Sequence, residues 1–276
     1  MCSLNGGISL KIHQHEDLTQ IEFYNRRFGM VMKVSIYFMD GLLIDTGTIR
    51  KKQELTPVFE TWNIDQVVLT HHHEDHSGLA HWLQTEKNVP LFSHQLGIEK
   101  GAAKSRLPYY RYFFWGPKRP YNADKVGKIL ETENYTWETI HTPGHAKDHI
   151  ALYNREKGWM FGGDLYVQRQ PKSIFSFESI PELIQSLQKI LTYDFTTYMC
   201  SHVGIIQDGR KAIQGKLDYL LSIQSKIMHL HEQGWSFSEI KKKLFPERHM
   251  LQYLSLFDNS PTHIIRSIID EKNKLT

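Results

Sequence analysis

The stretch from Gln66 to Ala80, QVVLTHHHEDHSGLA, constrains this chain more than any other. Gln66 to Thr70 is a short apolar, β-branched run that predicts a buried strand, and His71, His73, Asp75 and His76 follow it directly. Imidazole nitrogens and carboxylate oxygens are the donors a borderline divalent ion prefers. Crowding four of them into residues 71–76 costs too much desolvation for an ordinary core. If the loop stays extended, His71 and His73 look the same way and suit one ion, while Asp75 and His76 turn towards a second. His72 and Glu74 read as loop residues, and a helix is expected to open at Ser77-Gly78.

Other segments repeat the pattern of a strand ending in a donor. Residues 8 to 48 predict an antiparallel start: Ile8 to His13, Gln20 to Tyr24, then Met30 to Phe38 joined through the tight turn Asp40-Gly41 to Leu42-Leu43-Ile44-Asp45. Residues 49 to 62 and 79 to 84 read as helices, and Val89 to His94 as a strand. Tyr135 to Ile140 alternates as a strand, after which Pro143-Gly144 turns the chain to present His145. Trp159 to Phe161 ends in Gly162-Gly163, which lets the backbone come close to a site just before Asp164. Pro181 to Leu191 carries a helical apolar stripe, and Thr197 to Ser201 is the last strand, with His202 at its end. Strand ends are where α/β scaffolds present chemistry.

From about Gly204 the texture becomes helical. Ala212 to His231 is long and amphipathic, Gly234 stops it, Ser236-Phe237-Ser238-Glu239 is a capping box for a helix through Leu244, and Ser260-Pro261 opens a third. A chain of 276 residues therefore reads as an α/β domain over 1–205 with a helical extension over 206–276. The net charge of +3 lies wholly in residues 203–276, with 11 Lys and Arg against 8 Asp and Glu, too mild to argue for nucleic acid on charge alone. MCSLNGGISL lacks the basic and apolar regions of a secretory signal, and no run of about 18 apolar residues is present, so a cytoplasmic protein without membrane association is expected. Two cysteines, Cys2 and Cys200, make no disulfide framework, in keeping with a reducing compartment, and Cys200 reads as a small buried strand residue.

The order His71, His73, Asp75, His76, His145, Asp164, His202 resembles the metallo-β-lactamase superfamily, through H-x-H-x-D-H, T-P-G-H, a strand-end Asp and a final His. Leu43-Ile44-Asp45-Thr46-Gly47 is similar to that superfamily's first motif, in which the Asp orients the metal loop by hydrogen bonding. The resemblance implies an α/β fold of the αββα sandwich type with two divalent metal ions at one edge. His71, His73 and His145 would hold one ion and Asp75, His76 and His202 the other, with Asp164 and a water bridging them. Zinc is the expected metal, and iron or manganese suits the same donors. The implied activity is hydrolysis by a metal-bridging hydroxide, with Asp75 and Asp164 as catalytic residues.

THHHEDH is similar to the glyoxalase II motif, and the donor set equally suits lactonases and other thioesterases, so an activated acyl bond in a small-molecule substrate is the first expectation. Leu165 to Arg169 departs from glyoxalase II, which has a glycine- and cysteine-containing turn after its bridging Asp. Tyr166 invites comparison with the tyrosine that assists lactonases, one position away, and a packing role suits it equally. A phosphodiesterase or endoribonuclease acting on RNA is the rival, since a winged-helix-like C-terminal extension occurs in that branch too. A non-catalytic, metal-containing nucleic-acid-binding module is the third reading. Residues 101–121 combine Lys104, Arg106, Arg111, Lys118 and Arg119 with seven aromatic residues and no acid. Tyr109, Arg111 and Trp115, with Tyr166, are the expected substrate contacts, and the aromatic segment equally suits packing or a homodimer.

Overall fold

A computed structural model describes residues 10–27, 29–104 and 106–275. Cys2 and the start of the strand expected at Ile8 lie outside the described residues. The first sheet takes β1 (Lys11–His15), β2 (Leu18–Arg27), β3 (Met30–Met39) and β4 (Leu42–Ile44) in antiparallel order. Asp40 and Gly41 close the β3–β4 hairpin with φ of 50° and 75°, the left-handed pair that matches strand twist. After α1 (Lys52–Thr61) come β5 (Gln66–Val68), α2 (Glu74–Ser77), α3 (Ala80–Glu86), β6 (Leu91–Ser93), α4 (Gln95–Ala102), α5 (Tyr109–Trp115) and β7 (Asp124–Lys125). Strands β4 to β7 are parallel, each crossing through the segments between them.

The second sheet is built from β8 (Ile129–Glu131), β9 (Thr136–His141), β10 (Ile150–Asn154) and β11 (Trp159–Phe161). A two-residue β12 (Ile174–Phe175) and α6 (Ile180–Ile190) precede β13 (Thr197–Cys200) and β14 (Gly204–Ile206), and the spatial order is β14-β13-β11-β10-β9-β8. Then follow α7 (Gly209–Glu232), α8 (Phe237–Leu244), α9 (Met250–Leu254), β15 (Asn259–Ser260) and α10 (Pro261–Leu275). The capping box is formed at α8: Ser236 Oγ accepts from Glu239 N, and Glu239 Oε2 accepts from Ser236 N. No described helix is long and apolar enough to cross a membrane.

Period-two alternation produces the layers. In β10, Ile150 and Leu152 point between the sheets, to Trp137, Phe161 and Met199, whereas Ala151 and Tyr153 point outward beneath the helices. In β3, Val34 and Ile36 meet α1 and α3, and Tyr37 and Met39 face the second sheet. Three apolar layers result, in an αββα order. The outer layer on the second sheet is one continuous buried cluster running from Ile140 through Leu187 and Leu217 to Ile265, so the C-terminal helices share a core with the sheet. Each such buried side chain contributes about 1.5–3 kcal/mol.

The short β12–β15 ladder pairs Ile174 with Ser260 and Phe175 with Asn259, and thereby brings the C-terminal segment to the loop that follows Asp164. Two-residue strands carry no periodicity, so sequence patterning gave no sign of it. The helix after the donor-rich loop begins at Glu74, three residues earlier than expected, with His73 as its N-cap.

Candidate metal centre

All seven donors expected from the sequence lie at one edge of the sandwich. His71, His73, Asp75 and His76 follow β5, His145 lies between β9 and β10, Asp164 follows β11, and His202 follows β13. Their facing atoms form two groups: His71, His73 and His145 in one, and Asp75, His76, Asp164 and His202 in the other. In the first, His73 Nδ1 is 2.9 Å from His71 Nε2 and 3.1 Å from His145 Nε2. Nitrogens bound tetrahedrally at about 2.0–2.1 Å lie about 3.4 Å apart, so this spacing is close to that of a ligand cage. Asp164 Oδ2 sits between the groups, 3.4 Å from His145 Nε2, 3.4 Å from His76 Nε2 and 3.1 Å from His202 Nε2.

Two buried atoms of the second group, His76 Nε2 and Asp164 Oδ1, have no hydrogen-bond partner among the described residues. Leaving buried polar atoms unpaired is costly, and a cation removes that cost. The charges agree. Burial and then His76 push His71 well below the ordinary imidazole range, and burial and then Arg111 do the same to His73, which leaves lone pairs available. Burial opposes protonation of His76 and His202 as well, but the Asp164 carboxylate and its neighbours outweigh it and hold both well above that range. Protons there stand where a metal would, and binding would release them.

The outer atoms of the imidazoles are fixed in turn. His202 Nδ1 donates to Lys33 O at 2.7 Å, and His76 Nδ1 donates to Asp45 Oδ2 at 2.8 Å. Thr46 N and Oγ1 donate to His76 O at 2.6 and 2.8 Å, which holds the first turn of α2 against the β4 loop.

A family model of the metallo-β-lactamase superfamily matches residues 31–202, more than half of the chain and the segment that carries every one of these donors. The chain belongs to the metallo-β-lactamase superfamily. Its two His/Asp groups suit two metal ions. A metallo-β-lactamase family protein from Thermus thermophilus superposes with a TM-score of 0.66 at 18% identity, over 93% of this chain and 94% of that one. A metallo-β-lactamase from Pontibacter korlensis gives 0.63 at 18% identity, over 77% and 99%.

Among curated relatives, the probable metallo-hydrolase YqjP of Bacillus subtilis is 28% identical over 261 residues, covering 77% of this chain and 81% of its own. An atrochrysone carboxyl ACP thioesterase of Aspergillus fumigatus is 26% identical over 183 residues, covering 65% and 52%. The hydroxyacylglutathione hydrolase GloC of Haemophilus influenzae is 32% identical over 116 residues, covering 38% and 51%. The chain thus spans about half the length of the last two.

This superfamily member supports its donors with residues the sequence did not single out. Glu178 Oε1 accepts from His145 Nδ1 at 2.7 Å, while its Oε2 accepts from Phe175 N at 2.7 Å. His149, fully buried, is pushed down to about 3 by burial and then by His145, so it is neutral at pH 7. Its Nε2 accepts from Asp164 N at 3.1 Å and its Nδ1 donates to Thr142 Oγ1 at 2.8 Å, which aims the Asp164 backbone. Glu74 and His72 are also more than loop residues. Glu74 Oε2 accepts from Arg111 Nε and Nη2 at 2.9 and 2.7 Å, and His72 pairs with Asp148 at 2.8 Å. No local pattern marks these partners, because each comes from a distant stretch of the chain.

A cavity of about 230 Å³ opens onto the donors. Tyr109, Arg111 and Trp115 line it, along with Met30, Phe175 and Leu254. Tyr166 does not. A turn in which Leu165 N donates to Gly162 O at 3.0 Å carries it away, and its ring packs 6.2 Å from that of Tyr198. Arg111 is not a free cation, being paired with Glu74.

Glu178→Gln would place an amide N–H against His145 Nδ1 and favour the wrong tautomer at Nε2. We expect metal affinity at the first group to fall about 10–100-fold, read by competition with a chromogenic chelator. Wild-type affinity would show that Glu178 only anchors Phe175.

Proposed function

We propose that this protein hydrolyses an activated acyl bond, a thioester or ester with a largely apolar acyl group. His71, His73 and His145 would hold one divalent ion and Asp75, His76 and His202 the other, with Asp164 between the two groups. Zinc is the proposed metal. The observation that carries this reading is the cavity, which runs from His73, Asp75, Asp164 and His202 to apolar walls at Met32, Phe114, Ile174 and Leu251. A mostly apolar cleft ending in a few convergent polar groups suits a small acyl compound. The relatives named as a thioesterase and a hydroxyacylglutathione hydrolase support the same bond type.

Bound ions supply Lewis acidity and make a water acidic enough to ionise near neutral pH. Asp75 lines the cavity beside His202, with Oδ2 3.3 Å from Nε2, where its carboxylate would orient an attacking water. Phe114 and Trp115 shield the centre from bulk solvent, and the Trp115 ring lies 6.4 Å from that of His202. Two of the basic residues that would favour RNA are otherwise engaged: Glu74 neutralises Arg111, and buried Lys118 donates to Lys100 O at 2.6 Å.

The deciding assay places zinc-loaded protein with a hexanoyl thioester and, separately, with a single-stranded RNA oligonucleotide, before and after exhaustive chelation. Thioester cleavage that disappears with the metal is expected, with the RNA left intact. RNA cleavage without thioester cleavage, or full thioester turnover after chelation, would overturn the proposal.

A further inference from the structure

Among the described residues, two Lys or Arg side chains line the cavity, and one of them has a carboxylate partner. Arg111 is paired with Glu74, but no carboxylate among the described residues comes within ion-pair distance of Lys216. Lys216 rises from α7 beneath the loop that follows Asp164 and is only 4% exposed. Its Nζ donates to Leu165 O at 2.7 Å and lies 5.9 Å from the Tyr166 ring. An ammonium has three protons to donate, so two have no protein acceptor among the described residues.

Lysine usually lets its stem pack and carries its charge to water, and here it does not. Burial pulls the amine down to about 8, which still leaves it mostly protonated at neutral pH. The flanking positions on α7, Ile213, Leu217 and Leu220, are core residues, and a methionine at 216 would extend that core without desolvating a charge. One hydrogen bond to Leu165 O is too little to offset that desolvation. Lys216 lines the cavity, and Glu178 and Asp164, the carboxylates that act on its charge, do so from beyond ion-pair distance.

We propose that Lys216 anchors a second anion subsite in the cavity, one that takes a carboxylate set apart from the scissile bond. The acyl-bond reading decides only which half of the substrate carries that carboxylate, and the subsite itself does not depend on it. The protein would then prefer ω-carboxyacyl compounds to simple acyl compounds of equal length.

Binding separates this subsite from a packing role for Lys216 and from the hydrolase reading. Malonate, succinate, glutarate, adipate and suberate are titrated by calorimetry into zinc-loaded wild type, K216M and K216R, each beside the monocarboxylate of equal length. In wild type, the diacid of one length is expected to bind at least about tenfold tighter than its monoacid. K216M closes that gap, and K216R, which keeps the charge, retains part of it. Equal binding of diacid and monoacid at every length would overturn the subsite on wild type alone, whether or not K216M folds. A gap that survives K216M would overturn it too, since diacids then discriminate through the metals. Failure to cleave any thioester, with the gap intact, counts against the acyl-bond reading and leaves the subsite standing.

Discussion

Asp164→Ala is expected to lower turnover at least about 1,000-fold, equivalent to about 4 kcal/mol of barrier, while the fold persists. The side chain's Oδ2 is within 3.4 Å of a nitrogen from each donor group, so its loss separates one joint site into two incomplete ones. The protein is expected to bind fewer metal equivalents than wild type, measured by elemental analysis after desalting. The melting temperature of the metal-free protein should change little. Asp164 is held between His202 and His76, and when the carboxylate goes those imidazoles can lose their protons instead of being stranded as buried charges. Wild-type turnover, or full metal content with turnover intact, would remove Asp164 from the proposed mechanism.

The donors were legible in the sequence because the superfamily places them at strand ends, and a short β-branched run followed by His or Asp is a local signal. The layers were legible for a similar reason: alternation in β3 and β10 states which side chains face the second sheet. What remained hidden depends on pairs far apart in the chain. Glu178 meets His145 across 33 residues, Arg111 meets Glu74 across 37, and the β12–β15 ladder joins residues near 174 and 260. Tyr166 stays clear of the cavity because a turn, not its distance along the chain, decides which way a side chain leaves Asp164. Lys216 gave no signal either, since one lysine on an amphipathic helix reads as surface until the cavity beneath it is seen.

Asp45 offers the second large effect, and its two replacements are expected to fail differently. The carboxylate accepts three donors: Thr70 N at 2.8 Å, Thr70 Oγ1 at 2.9–3.0 Å and His76 Nδ1 at 2.8 Å. It is 2% exposed, and its backbone is left-handed, with φ of 62°, a conformation that Asp and Asn tolerate better than most residues. In Asp45→Ala, a buried N–H loses its acceptor and alanine must adopt that φ, for a combined loss of about 3 kcal/mol, read by chemical denaturation. Asp45→Asn keeps the backbone geometry and an oxygen for Thr70. Its amide N–H now meets His76 Nδ1, however, so the His76 proton moves to Nε2, the atom that faces the second group. Near-normal stability is therefore expected, with metal affinity at that group down about 10–100-fold. If Asp45→Asn bound both metals as tightly as wild type, the tautomer of His76 would not be what Asp45 controls, and its part would be confined to holding the strand-to-loop turn.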